Sequence, residues 1–134
     1  MKDDQNRREA ARWLGQADSD LRFARVGLAE GFYAQVCFLA QQAAEKAVKA
    51  AHYRQGERRV LGHSLVVLLD TLPANSGAEG LRTLAAELDL HYVPARYPNG
   101  LPDLAPFEAY TREQAEHAIE AAQKFLDFAR ASIV

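Results

Sequence analysis

The sequence predicts an all-α fold: an up-and-down, four-helix-type bundle whose third helix is broken in two and whose last helix follows a long proline-rich loop. Three observations carry this prediction. Apolar residues recur at alternating spacings of three and four through three long stretches, the period of a helix that buries one stripe. No stretch shows the apolar/polar alternation of a strand. Prolines fall at every fourth position, at Pro94, Pro98, Pro102 and Pro106. Each lacks an amide hydrogen and biases its predecessor away from helix.

The first helix is expected from about Arg7 to Ala29, with Leu14, Ala17, Leu21, Ala24 and Leu28 as its inward seam. Gly31 is the natural left-handed cap that ends it. A second helix follows almost at once, from Tyr33 to Arg54, so the two are antiparallel neighbours. Its apolar rows are mostly alanine (Ala40, Ala43, Ala44, Ala47, Ala50, Ala51). Small side chains let other helices approach closely, which places this helix at the centre.

The broken third element reads as Ser64 to Leu72 and then Glu79 to Leu90, interrupted at Pro73–Gly77. The proline spacing excludes a continuous helix from Tyr92 to Tyr110. That segment holds four aromatics (Tyr92, Tyr97, Phe107, Tyr110), which argues for order. Thr111 and Gln114 form a capping box for the last helix, whose seam is Ile119, Ala122, Leu126, Ala129 and Ile133.

The chain has 134 residues, the size of one domain, and 49% hydrophobic residues, enough for a core. A net charge of −2 argues against coating nucleic acid through a global basic field. One cysteine, Cys37, excludes an internal disulfide and fits a reducing compartment. Cys37 itself reads as a small core residue. Neither a signal peptide nor a membrane span is evident, so the expected location is the cytoplasm.

Four histidines, His52, His63, His91 and His117, occur without metal-ligand spacing, and no metal or cofactor is expected. Three other groupings are more informative. Gln41, Glu45 and Lys49 are four apart and share one face of the second helix, with Gln42 and Lys46 beside them. Solvent pairing explains the Glu–Lys spacing, whereas paired amides between apolar rows suit a ligand or a partner chain. A basic run, Lys46, Lys49, Arg54, Arg58 and Arg59 with His52 and His63, reads equally as an anion site or as a solvated helix end. Finally, Arg96 and Tyr97 in the stiffened loop could clamp a phosphate and stack a base. Alternatively, Arg96 pins the loop by pairing with an acid such as Glu45.

One ordered set of residues resembles a known family. It comprises Trp13-Leu-x-x-Ala17-x-x-Asp20-Leu21, Cys37-Phe-Leu-Ala-Gln-Gln-Ala-Ala-Glu-Lys-Ala-Val-Lys49, Gly62-His63-Ser-Leu65, Leu88-Asp-x-x-Tyr92-x-x-x-Arg96-Tyr97-Pro98 and Tyr110-Thr111. Together these are similar to the HEPN (higher eukaryotes and prokaryotes nucleotide-binding) domain over nearly the whole of residues 1–134, a single domain. The resemblance implies a helical bundle that forms homodimers, and a nucleotide- or partner-binding module acting beside a minimal nucleotidyltransferase in a toxin–antitoxin-like pair. Its ligand region would join Gln41, Glu45, Lys49, His63, Arg96 and Tyr97.

Other members are metal-independent ribonucleases with an Arg-x4–6-His motif, and a purely structural dimeric adaptor is a third alternative. No histidine follows Arg96 at that spacing. Two literal matches lie elsewhere, Arg58 with His63 and Arg112 with His117. On a helix, a separation of five turns the side chains about 140° apart. The expectation is therefore binding, with enzymatic activity left as the alternative.

Overall fold

A computed structural model describes residues 1–134. It contains α1 (Lys2–Glu30), α2 (Tyr33–Arg54), α3 (Leu65–Asp70), α4 (Arg82–Asp89), α5 (Pro106–Ala109) and α6 (Arg112–Ile133), with 3-10 turns at Glu79–Leu81 and Pro98–Gly100. There are no strands. Helices α1, α2 and α6 pack on one another as a three-helix frame, and α3 with α4 supplies the interrupted fourth element.

Helix α2 is the axis of the molecule and touches α1, α3, α4, α5 and α6. Its alanine rows explain this position. Ala40, Ala43, Ala44, Ala47 and Ala50 have no exposed surface, so neighbouring helices approach from several sides. At the α1–α2 crossing, Gly27 has the same use. A Cβ there would lie 2.9 Å from Val36 Cγ2, so any larger residue would force the buried Val36 side chain to shift. Gly31, with φ 86°, ends α1 in the left-handed conformation that glycine adopts without strain.

The seams of α1 and α6 lie inward as their spacing implied, with Leu21, Ile119 and Leu126 buried. Phe125 is the largest fully buried side chain, and it lies beside the α6 seam. Counting only every third and fourth residue passes over it, because a bundle helix buries a wider stripe than a two-position seam. Removing such a ring costs about 3–5 kcal/mol.

Helix α1 begins five residues earlier than the apolar pattern requires. Asp3 and Asp4 favour its amino end, where unpaired amides carry partial positive charge. Arg54 Nη1 also donates to Asp3 Oδ1 at 2.9 Å and holds that end down. The Thr111–Gln114 capping box forms in full: Gln114 N donates to Thr111 Oγ1 at 3.2 Å, and Thr111 N to Gln114 Oε1 at 2.8 Å.

The proline segment contains no continuous helix, yet it is more ordered than a bare loop. Pro98 and Pro106 each open a short turn of helix, where a missing amide hydrogen costs nothing. Ala95 and Pro106 are buried and anchor the segment on the bundle.

Candidate functional site

The polar face of α2 is not a solvent stripe. Gln41, Glu45, Lys49 and His52 lie three or four apart and are 0%, 3%, 6% and 6% exposed. Buried polar groups need partners, and each of these has one. Gln41 Nε2 donates to the His63 carbonyl at 3.0 Å. Lys49 Nζ lies 3.3 Å from Glu45 Oε2. Gln42 Nε2 reaches Gln41 Oε1 at 2.8 Å and Glu45 Oε1 at 3.4 Å. His52 Nε2 lies 2.7 Å from the Leu68 carbonyl.

Asp89, at the end of α4, links this column to α3. Its carboxylate accepts from Leu65 N at 2.8 Å, Val66 N at 3.2 Å and Ser64 Oγ at 3.0 Å. It thereby caps α3 and fixes the backbone that carries His63. Nothing in the sequence marked Asp89 as functional beyond its place in the Leu88-Asp-x-x-Tyr92 motif.

His63 connects the buried column to the surface. Its Nδ1 lies 3.2 Å from Glu45 Oε1 while the ring itself is 58% exposed. The ring stacks on Tyr92, with centroids 5.0 Å apart and planes 19° from parallel. The Arg96 guanidinium carbon lies 4.6 Å from the Tyr92 ring, 4.4 Å from Phe38 and 5.2 Å from Tyr97. Arg96 Nε donates to the Tyr92 carbonyl at 2.7 Å. No carboxylate pairs with this arginine, and its side chain faces solvent. Beside it, Phe38, Pro98 and Phe107 help to line a groove of about 540 Å³ between α2 and the proline segment.

These contacts correct the suggested Arg96–Glu45 pair. Glu45 is taken by Lys49, His63 and Gln42, and three aromatic faces hold Arg96 instead. Phe38 and Tyr92 are essential to that geometry. The only hint in the sequence was an arginine four residues after a tyrosine. Of the six residues in the expected ligand region, Gln41, Glu45, Lys49 and His63 form one contact network. Arg96 joins it through Tyr92, and Tyr97 through Arg96. Lys49 is enclosed and committed to Glu45, so its charge does not face a ligand.

The basic run does not gather into one patch. Lys46 pairs with Asp20 of α1, Arg54 with Asp3, and Lys49 with Glu45. Of the lysines and arginines in that run, only Arg58 and Arg59 remain without an acidic partner, and Arg58 borders a concavity facing α1. In the second Arg-x4-His pair, Arg112 with His117, the two side chains have different partners. Arg112 is bound to Glu116 at 2.7 Å and His117 to Glu87 at 2.6 Å, so each is held by its own acid.

His91 contacts the Tyr110 hydroxyl through Nδ1 at 3.4 Å, joining the two ends of the proline segment. Burial pushes His91 below the usual histidine range, nearby His117 adds to this, and Glu87 opposes it. Burial also raises the Tyr110 phenol to about 12, with Cys37 contributing, and the Cys37 thiol to about 12, which leaves it inert. No three histidine, cysteine or acidic side chains converge as metal ligands.

A family model described as the HEPN domain matches residues 10–132. The chain belongs to the HEPN family. A Methanocaldococcus jannaschii protein named as a "putative toxin" is 32% identical, the match covering 91% of this chain and 86% of that protein. A crystal structure of a Thermus thermophilus protein superposes with a TM-score of 0.87 at 43% identity, covering 92% of this chain and 97% of the other. An archaeal HEPN homologue gives 0.77 at 39% identity, with coverage of 93% and 98%. A Thermotoga maritima HEPN domain protein gives 0.65 at 33% identity, with coverage of 90% and 95%. The HEPN bundle thus accounts for the whole architecture, and no helix is long and apolar enough to cross a membrane.

Proposed function

We propose that this HEPN protein binds a nucleotide at the Arg96–Tyr97–His63 surface and acts with a partner protein in a toxin–antitoxin-like pair. The carrying observation is Arg96. Its guanidinium has no carboxylate, faces solvent, and is held over Phe38, Tyr92 and Tyr97 at the edge of an open groove. Such a pre-positioned fork suits a phosphate. Tyr97, 52% exposed, and Phe107, 72% exposed, offer faces on which a base can stack. His63, anchored by Glu45, adds a donor.

The relative named as a toxin supports the toxin–antitoxin-like setting. Within this reading the partner is a minimal nucleotidyltransferase and the compartment is the cytoplasm. Self-association as a homodimer is supported by the apolar surface at the α1–α2 junction, where Phe23, Val26 and Phe32 are all more than half exposed. Calorimetric titration with ATP and GTP tests the binding. Saturable heat is expected, weakened about tenfold or more in Arg96→Ala. Absence of heat and of thermal shift at millimolar nucleotide would sink the reading.

A second reading, metal-independent RNA cleavage, is favoured by one observation. A buried carboxylate holds His63 through Nδ1 and leaves Nε2 free, the arrangement of an oriented general base. Metal-free cleavage that vanishes in His63→Ala would establish it. Cleavage persisting in both His63→Ala and His117→Ala would point to contamination.

A further inference from the structure

The surface beneath the proposed site continues beyond His63. Phe38, Gln42 and Lys46 lie four apart on α2 and are all half-buried, so they form one solvent-facing stripe about 12 Å long. This stripe is distinct from the enclosed Gln41–Glu45–Lys49 column beside it. On one flank stand His63, Tyr92 and Arg96. On the other flank, α1 presents Trp13 and Gln16, which with Glu9, Arg12 and Lys46 line a concavity of about 470 Å³.

Trp13 is fixed in place there. Its ring packs on Tyr53 at 5.2 Å between centroids, Lys49 Nζ lies 5.7 Å from its centroid, and its Nε1 donates to Glu9 Oε1 at 3.1 Å. The two flanks are coupled through shared side chains. Lys49 touches Glu45, the partner of His63, as well as Trp13. Lys46 bridges the stripe to Asp20 of α1.

Resting on the nucleotide-binding reading above, we propose that Trp13 is a second base-stacking position of the same site. The stripe Phe38–Gln42–Lys46 is then the floor of a track for a single-stranded oligonucleotide. Arg96 and Tyr97 receive one end of that strand and Trp13 the other. A free mononucleotide reaches only the Arg96 end. Lys46 is neutralised by Asp20, and Glu9 offsets Arg12, so stacking dominates over phosphate contacts and salt dependence is shallow.

Trp13 is the only tryptophan, so its fluorescence reports this position alone. Titration of the full chain with a tetraribonucleotide, a tetradeoxyribonucleotide and AMP provides the test. Quenching by either tetramer with little effect of AMP is expected, together with at least about tenfold tighter tetramer binding, the size of one base-stacking contact. The RNA and DNA arms identify which sugar the track accepts.

Trp13→Ala should remove that gain by fluorescence polarisation. Because Trp13 also packs on Tyr53, Trp13→Phe serves as a second variant that keeps a smaller ring on Tyr53 and should retain only part of the tetramer gain. Equal affinities for AMP and tetramer, or tetramer binding with no quenching, overturn this inference and leave the mononucleotide reading standing. No binding of any of the three overturns this inference, while the ATP and GTP titration decides the nucleotide reading on its own.

Discussion

Two glutamate–histidine pairs in this chain use the same chemistry in opposite settings. Glu45 and His63 meet at 3.2 Å, with the carboxylate 4% exposed and the imidazole 58% exposed. Glu87 and His117 meet at 2.6 Å, with 46% and 58% of their side chains exposed. The shorter contact is the less consequential one. Water competes for both Glu87 and His117, and exposed pairs contribute about 0–1 kcal/mol. Glu45 has no such competitor, and it also neutralises the enclosed Lys49. The burial of the acid, not the hydrogen-bond length, is therefore what sets the two pairs apart.

The largest test of this contrast is Glu45→Ala. It leaves the Lys49 ammonium enclosed without a counter-charge, a defect that costs about 3–5 kcal/mol. Thermal unfolding should then fall on the order of 10 °C or more. A loss of only a degree or two would mean that water reaches Lys49 and that the two pairs are equivalent. Asp89→Ala comes next, at about 1–3 kcal/mol by chemical denaturation, because two amides and a hydroxyl lose their acceptor. It should also weaken nucleotide binding, since it frees the backbone that positions His63.

A smaller effect concerns pH around the Glu87 pair. His91 is held below its ordinary value by burial, so between the two values the unfolded chain binds more protons. Stability is then full above about pH 6.5 and declines as pH falls through the folded value. In His91→Gln this part of the decline should be absent, so the melting temperatures of the two proteins should converge or cross on acidification. Parallel curves would show that His91 carries no such burden. Last, Glu87→Ala should change stability by less than about 1 kcal/mol, in contrast to Glu45→Ala.

Much of the frame was legible because it depends on period and punctuation. Alternating spacings, Gly31, the Pro73–Gly77 break and the Thr111 capping box each act locally, and each formed where local chemistry placed it. The site was only partly legible. Glu45 and Lys49 at a spacing of four look the same whether solvent or protein covers them; cover comes from residues far along the chain, such as His63 and Trp13. The basic run shows a related limit. Neighbours in sequence read equally as an anion site or a solvated helix end, and Asp20 and Asp3 on α1 pair with two of its charges. Arg96 shows a third limit, since three rings hold it where an acid was sought. Family resemblance located that residue but not its surroundings.

Arg54 has a consequence for handling the chain. Nη1 binds Asp3 and Nε donates to the Ile133 carbonyl at 3.3 Å, so residues near both ends of the sequence meet at one pole. A short flexible linker could join them, with new ends opened in the exposed turn at Pro73–Gly77. Such a circular permutant should keep the bundle and leave the Arg96 surface unobstructed. It would also let fluorescent or affinity modules be attached at either location without crossing the proposed nucleotide track.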